Sequence, residues 1–103
     1  MPFLIIYVTH PDETTAKDIS DMLLTKKLVA CANIFPIKSA YWWDAAIQHE
    51  NEYVSILKTS TEKWTAVKTE IESLHPYQTP CIVRWEASAN EKYENWIHES
   101  VNP

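Results

Sequence analysis

Among the side chains able to do chemistry, His75 comes first. It sits in the run Leu74-His75-Pro76-Tyr77-Gln78-Thr79-Pro80, and a neutral imidazole is a good ligand for copper or zinc. A metal centre needs several converging donors, yet the chain holds neither an H-x-x-x-H nor a C-x-x-C pair. A histidine at a helix end can equally cap the last carbonyls and bond locally. Cys31 is a soft donor if a histidine reaches it from another copy. Both Cys31 and Cys81 lie in apolar stretches, where reduced, buried thiols are expected. His10, His49 and His98 are scattered and read as surface residues. Asp44, Glu50 and Glu52 form an acidic patch with no Lys or Arg beside it. Without rigid geometry such carboxylates hold divalent cations weakly, so the patch reads as a solvated edge. No Ser-His-Asp or Cys-His arrangement is suggested. With no glycine anywhere, a P-loop or a dinucleotide fingerprint is impossible. A non-enzymatic protein is expected.

The elements that must position these residues follow from periodicity. Phe3 to Thr9 is nearly all apolar and β-rich, as in a central strand. Pro11-Asp12-Glu13 opens a helix, with Ala16, Ile19, Met22 and Leu23 at helical spacing and Lys26 and Lys27 set to complement its C-terminal dipole. Leu28 to Ile34 is apolar again. Pro36 cannot donate to a ladder and marks an edge or a bulge. The strand resumes from Ile37 to Trp43, turns near Asp44-Ala45-Ala46, and returns from Ile47 to Thr59. Each arm of that hairpin exceeds the usual five or six residues. Thr59-Ser60-Thr61-Glu62 and Ser88-Ala89-Asn90-Glu91 have the form of capping boxes. The first opens a helix with Trp64, Val67, Ile71 and Leu74 on one face, stopped by His75-Pro76. Pro80 to Trp85 is a last strand, and Tyr93, Trp96 and Ile97 mark a short final helix.

The order predicts a single α+β domain over residues 1–103: a ferredoxin-like βαββαβ sandwich with an added C-terminal helix. Helices should cover one face of a four-stranded antiparallel sheet. A sheet this small cannot cover both long hairpin arms, so pairing with further copies of the chain is expected. Turns needing a positive φ must do without glycine, which directs attention to Asp44, Asn51 and Asn90. A formal net charge of −5 leaves no basic face for a nucleic acid. No stretch approaches the ~20 apolar residues that span a bilayer. With no signal-peptide pattern at the start, a cytoplasmic location is expected.

At Cys31-Ala32-Asn33-Ile34, Tyr41-Trp42-Trp43, Lys58-Thr59 and the run from Leu74 to Pro80, the chain resembles the CutA family of divalent-cation tolerance proteins. The likeness extends from Val8-Thr9 to Tyr93-Glu94-Asn95-Trp96 with the motifs in the same order. It implies a homotrimer whose long strands pair between subunits. It also implies a signalling or metal-handling role with a divalent metal ion, copper foremost, as partner rather than as obligatory cofactor. By the same resemblance Tyr41, Trp43, Lys58, His75 and Tyr77 are cleft residues, with His75 the metal ligand. An alternative occupant of such intersubunit clefts is an anionic small molecule or a partner segment, held by Lys58 beside aromatic faces. Two positions depart from the pattern of copper-binding members, which carry a cysteine on the first strand and a second histidine beside His75; here Val8 and Leu74 stand there. Ala45 stands where the family commonly has glycine.

Overall fold

The computed structural model describes residues Met1–Pro103. Its elements are β1 (Phe3–His10), α1 (Glu13–Thr25), β2 (Cys31–Trp43), β3 (Ala46–Thr59), α2 (Trp64–Leu74), β4 (Ile82–Ala87) and α3 (Glu91–Val101). The strands form one sheet in the order β2-β3-β1-β4, with every neighbouring pair antiparallel. This is the ferredoxin-like arrangement. Strand alternation sends Leu4, Ile6, Val8 and Leu57 to one face, where they pack on Ile19 and Leu23 of α1 and Val67 and Ile71 of α2. Each such side chain contributes roughly 2 kcal/mol on burial. The third helix departs from the expected single helical layer. The Tyr93 hydroxyl meets Lys58 Nζ at 3.1 Å, and its ring lies edge-on to Phe3. Both partners project from the opposite face of the sheet, so α3 covers one end of that face.

Local chemistry accounts for the element ends. Asp12 caps α1 by accepting from the Thr15 amide at 2.7 Å. At the other end Lys27 takes φ 57°, its amide donating to Leu24 O and that of Leu28 to Leu23 O. That is a Schellman closure built on a lysine where glycine is usual. The two lysines therefore serve otherwise than by the dipole: Lys27 makes the turn, and Lys26 pairs with Glu70 of α2 at 2.6 Å. Neither capping box forms. Thr59 ends β3 and gives its hydroxyl to Leu28 O, and a 3-10 turn (Thr61–Lys63) precedes α2. At α3 the cap residue is Asn90, and Glu94 rather than Glu91 reaches back to the Ala89 amide.

The hairpin is the dominant irregularity. β1 pairs with β3 only from Leu4↔Thr59 to His10↔Tyr53, whereas β2 and β3 stay paired from Cys31↔Lys58 to Trp43↔Ala46. The rungs from Ile37↔Glu52 outward therefore have no third strand. They draw the molecule out to 45 × 23 × 21 Å, with a radius of gyration of 14.3 Å against about 13 Å for a compact chain this long. Pro36 lies in unbroken register opposite Tyr53, on an edge strand and without a bulge. Asp44 and Ala45 both take positive φ, 50° and 59°, in a two-residue turn. Asn51 and Asn90 do not. Both faces of the extension carry bare aromatic and aliphatic surface: Trp42 is 72% and Ile47 55% exposed on one, with Tyr41 and Trp43 on the other.

Lys27 and Ala45 each hold a left-handed conformation that costs a side-chain-bearing residue roughly 1 kcal/mol. Lys27→Gly should raise the unfolding free energy by about 0.5 kcal/mol once glycine's larger unfolded-state entropy is counted. Denaturant midpoints of the two proteins check this.

Candidate functional site

Where β1 stops and the hairpin continues, the loop from His75 to Pro80 crosses the end of the sheet. It encloses a cleft of about 750 Å³ against the open face of the hairpin. Alternation on β2 brings Ile37, Ser39, Tyr41 and Trp43 to that face, and on β3 Gln48, Glu50 and Glu52; Tyr77 and Cys81 close the far side. Tyr41, Trp43 and Tyr77 therefore line one cleft. Lys58 does not join them. It lies about 20 Å along β3 from Glu52, its ammonium bonded to the Tyr93 hydroxyl and lying 5.3 Å from that ring's centroid. Within one chain, therefore, Lys58 and the cleft aromatics stand apart.

Glu52 is the residue the sequence hid. It is only 5% exposed, and its carboxylate accepts from the Tyr77 hydroxyl at 2.5 Å. No Lys, Arg or His lies within ion-pair distance of it. Read as part of an acidic tip, Glu52 and Glu50 look solvated. Alternation from Val54 and Ile56 is the signal that puts both on the open face. Burial and these carboxylates together raise the neighbouring acids. Burial first, then the bond to Glu52, pushes the Tyr77 phenol far above its ordinary value. Hydrogen bonding to Glu50 raises the Tyr41 phenol. Burial and then the charges of Cys81 and Glu52 raise Tyr7, and burial followed by Glu52 raises the Cys81 thiol. The cleft thus favours cations and keeps its phenols and thiol protonated. Cys81 and Cys31 are both free and half-buried, and Cys31 Sγ lies 3.7 Å from the Tyr93 hydroxyl, away from the cleft.

Behind the cleft lies a histidine pair. His75 is buried, with Nε2 donating to Thr9 O at 2.7 Å and Nδ1 accepting from the Tyr77 amide at 3.1 Å. Both ring nitrogens are thus engaged by backbone, and a metal could reach His75 only by displacing one of these bonds. The ring does not cap the last carbonyls of α2: only the His75 backbone amide bonds that helix, at Ile71 O, while the imidazole reaches Thr9 of β1. His10, expected at the surface, is fully buried: its ring stacks on His75 at 5.3 Å, and Nε2 meets the Ser55 hydroxyl at 2.8 Å. His10 Nδ1 has no partner. His49 is exposed on the hairpin, and His98 bonds Pro2 O from α3. A chain of contacts therefore runs from Ser55 through His10, His75 and Tyr77 to Glu52. The chain itself gathers no group of three His, Cys, Asp or Glu side chains able to hold a metal. No helix is long and apolar enough to cross a membrane.

Known proteins give this geometry a context. Residues 4–100 match the family model described as CutA1 divalent ion tolerance protein. The chain is 43% identical to the divalent-cation tolerance protein CutA of Archaeoglobus fulgidus, covering 93% of this chain and 95% of that protein. It is 40% identical to the protein of the same name from Thermotoga maritima, over 95% and 98% of the two chains. The solved structure of the Archaeoglobus fulgidus protein, described as periplasmic, superposes with a TM-score of 0.95 at 40% identity over 97% of this chain and 99% of that one. The CutA1 of Pyrococcus horikoshii does so at 0.93, with 36% identity over 97% and 99%.

Burial, followed by the neighbouring His75, lowers His10 from 6.5 to about 4, with Asp12 and Glu52 opposing. The unfolded chain therefore binds a proton between these values that the native protein refuses. Stability is full above pH 6.5 and falls as the pH drops from 6.5 towards 4, by up to about 3 kcal/mol. In denaturant titrations at pH 7 and pH 4.5, His10→Asn should lose most of that pH dependence.

Proposed function

The chain belongs to the CutA1 divalent ion tolerance family, and on that premise we propose that it is a homotrimeric, non-enzymatic protein that binds divalent cations, copper among them, at the seams between subunits. The buried Glu52 carboxylate, open to the cleft and without any cation of its own, carries this reading. A carboxylate removed from water is costly unless a positive charge meets it. Glu50 and the Cys81 thiol stand in the same cleft as further donors. Because no three such side chains of one chain converge closely enough to hold an ion, a donor from an adjacent copy completes the coordination. The hairpin supports the trimer. Its unpaired rungs and bare aromatic faces need a cover that the protomer does not supply. We place the protein in the cytoplasm, where the free thiols of Cys31 and Cys81 stay reduced.

In light scattering at micromolar concentration the protein should run at three times its chain mass; a stable monomer would contradict the assembly. Calorimetric titration with Cu²⁺ and Zn²⁺ should give binding that Glu52→Gln weakens by about tenfold or more, as loss of a charged ligand does. His75→Ala tests the remaining role of the imidazole: unchanged affinity removes it as a ligand.

A further inference from the structure

We propose that the donor each cleft lacks is His49 of the adjacent copy, which meets Glu52 across the seam and closes a zinc or copper site there. The inference rests on the reading of the cleft as a divalent-cation site and names the group that completes it. Zinc and copper take imidazole nitrogen readily, and the chain has little of it to spare. His10 is fully buried, with Nε2 at the Ser55 hydroxyl. His75 is bonded to backbone at both ring nitrogens, and His98 meets Pro2 O from α3. Cys31 lies beside Tyr93, away from the cleft. His49 is the one exposed histidine, and the one whose ring meets no hydrogen-bond partner. Opposite it in the proposed site stands Glu52, a carboxylate only 5% exposed and with no cation of its own.

Alternation decides which cleft His49 can serve. Gln48, Glu50 and Glu52 line the cleft from one face of β3, so His49 and Asn51 take the reverse face. Its own cleft therefore lies on the far side of the sheet. A closed ring of three copies supplies the other route. Such a ring joins unlike surfaces, so the cleft face of one hairpin meets a different face of the next. The reverse face of the hairpin is the surface that fits. Trp42 and Ile47 stand bare on it as a cross-strand pair, one rung from Tyr41↔Gln48 and two from Ala40↔His49. Laying this face against the neighbour's Tyr41 and Trp43 covers both bare surfaces at once. Charge is complementary as well: Lys38 shares the reverse face with His49, whereas the cleft face carries Glu50 and Glu52.

Zn²⁺ titrated calorimetrically into the metal-free protein is the probe. His49→Ala, at an exposed position, should weaken binding by about tenfold or more and leave the assembly mass unchanged, whereas His98→Ala should bind as the unaltered protein does. Coexpression of His49→Ala with Glu52→Gln tests the arrangement across the seam. No chain then carries both groups, yet about a quarter of the seams in equally mixed trimers join an intact Glu52 to an intact His49. Tight zinc binding at that fraction is expected. Undiminished affinity in His49→Ala, or mixed trimers without tight sites, would overturn the inference. Should Glu52→Gln fail to assemble, the His49 ring resonances of the unaltered protein decide: zinc should shift them, and unmoved resonances overturn the inference too. A trimer that binds zinc without regard to His49 removes only this inference. A stable monomer, or a trimer that binds no zinc, removes the cation seam as well.

Discussion

β1 ends at His10 while its neighbour β3 runs on with β2 to the turn at Asp44-Ala45, and this mismatch of strand lengths organises the molecule. A two-stranded ribbon standing alone in water is marginal, because it buries too little to offset the entropy of ordering it. The core under α1 and α2 stabilises the root of the hairpin and does nothing for its outer rungs. Those rungs are rich in Trp, Tyr and Ile on both faces, a composition suited to contact with other protein surface. The edge they present is interrupted at Pro36, which limits how a neighbouring strand can pair there.

The same mismatch makes the cleft. Had β1 continued beside Glu52, the carboxylate would lie beneath a third strand. Instead the His75–Pro80 loop passes over the end of β1 and leaves a lined space. Packing fixes that loop at its root: His75 bonds the carbonyl of Thr9 and stacks on His10, and Tyr77 bonds both His75 and Glu52. The buried polar chain thus couples the core to the cleft wall. Its charge is one-sided, because the histidine next to the core is kept neutral by burial and no base approaches Glu52. The cation binding proposed above rests on this imbalance.

Much of the architecture could be read before any coordinates. The strand and helix order, the long hairpin and the turn at Asp44-Ala45 follow from periodicity, from the position of Pro36, and from the absence of glycine. The family resemblance groups Tyr41 with Trp43, and alternation along β2 turns both to one face. What could not be read depends on register and on which face a side chain takes at the sheet's end. Lys58 is a cleft residue by resemblance, and within one chain its place opposite Ile5 and Cys31 sets it at the other end of the strand from Glu52. His10 looked like a surface residue because it follows the apolar run; alternation from Ile6 and Val8 buries it. Neither capping box forms: Thr59 gives its hydroxyl to Leu28 O in the loop after α1, and Glu94 rather than Glu91 takes the Ala89 amide. A local motif carries no information about such partners.

The account turns on the outer hairpin being covered by other copies in the working protein. Hydrogen exchange at the amides of Ile37–Trp43 and Ala46–Glu52 tests this most directly. If the claim holds, their protection approaches that of β1 and declines on dilution, as subunits part. Exchange near free-chain rates in these residues, at any concentration and with β1 still protected, would contradict it.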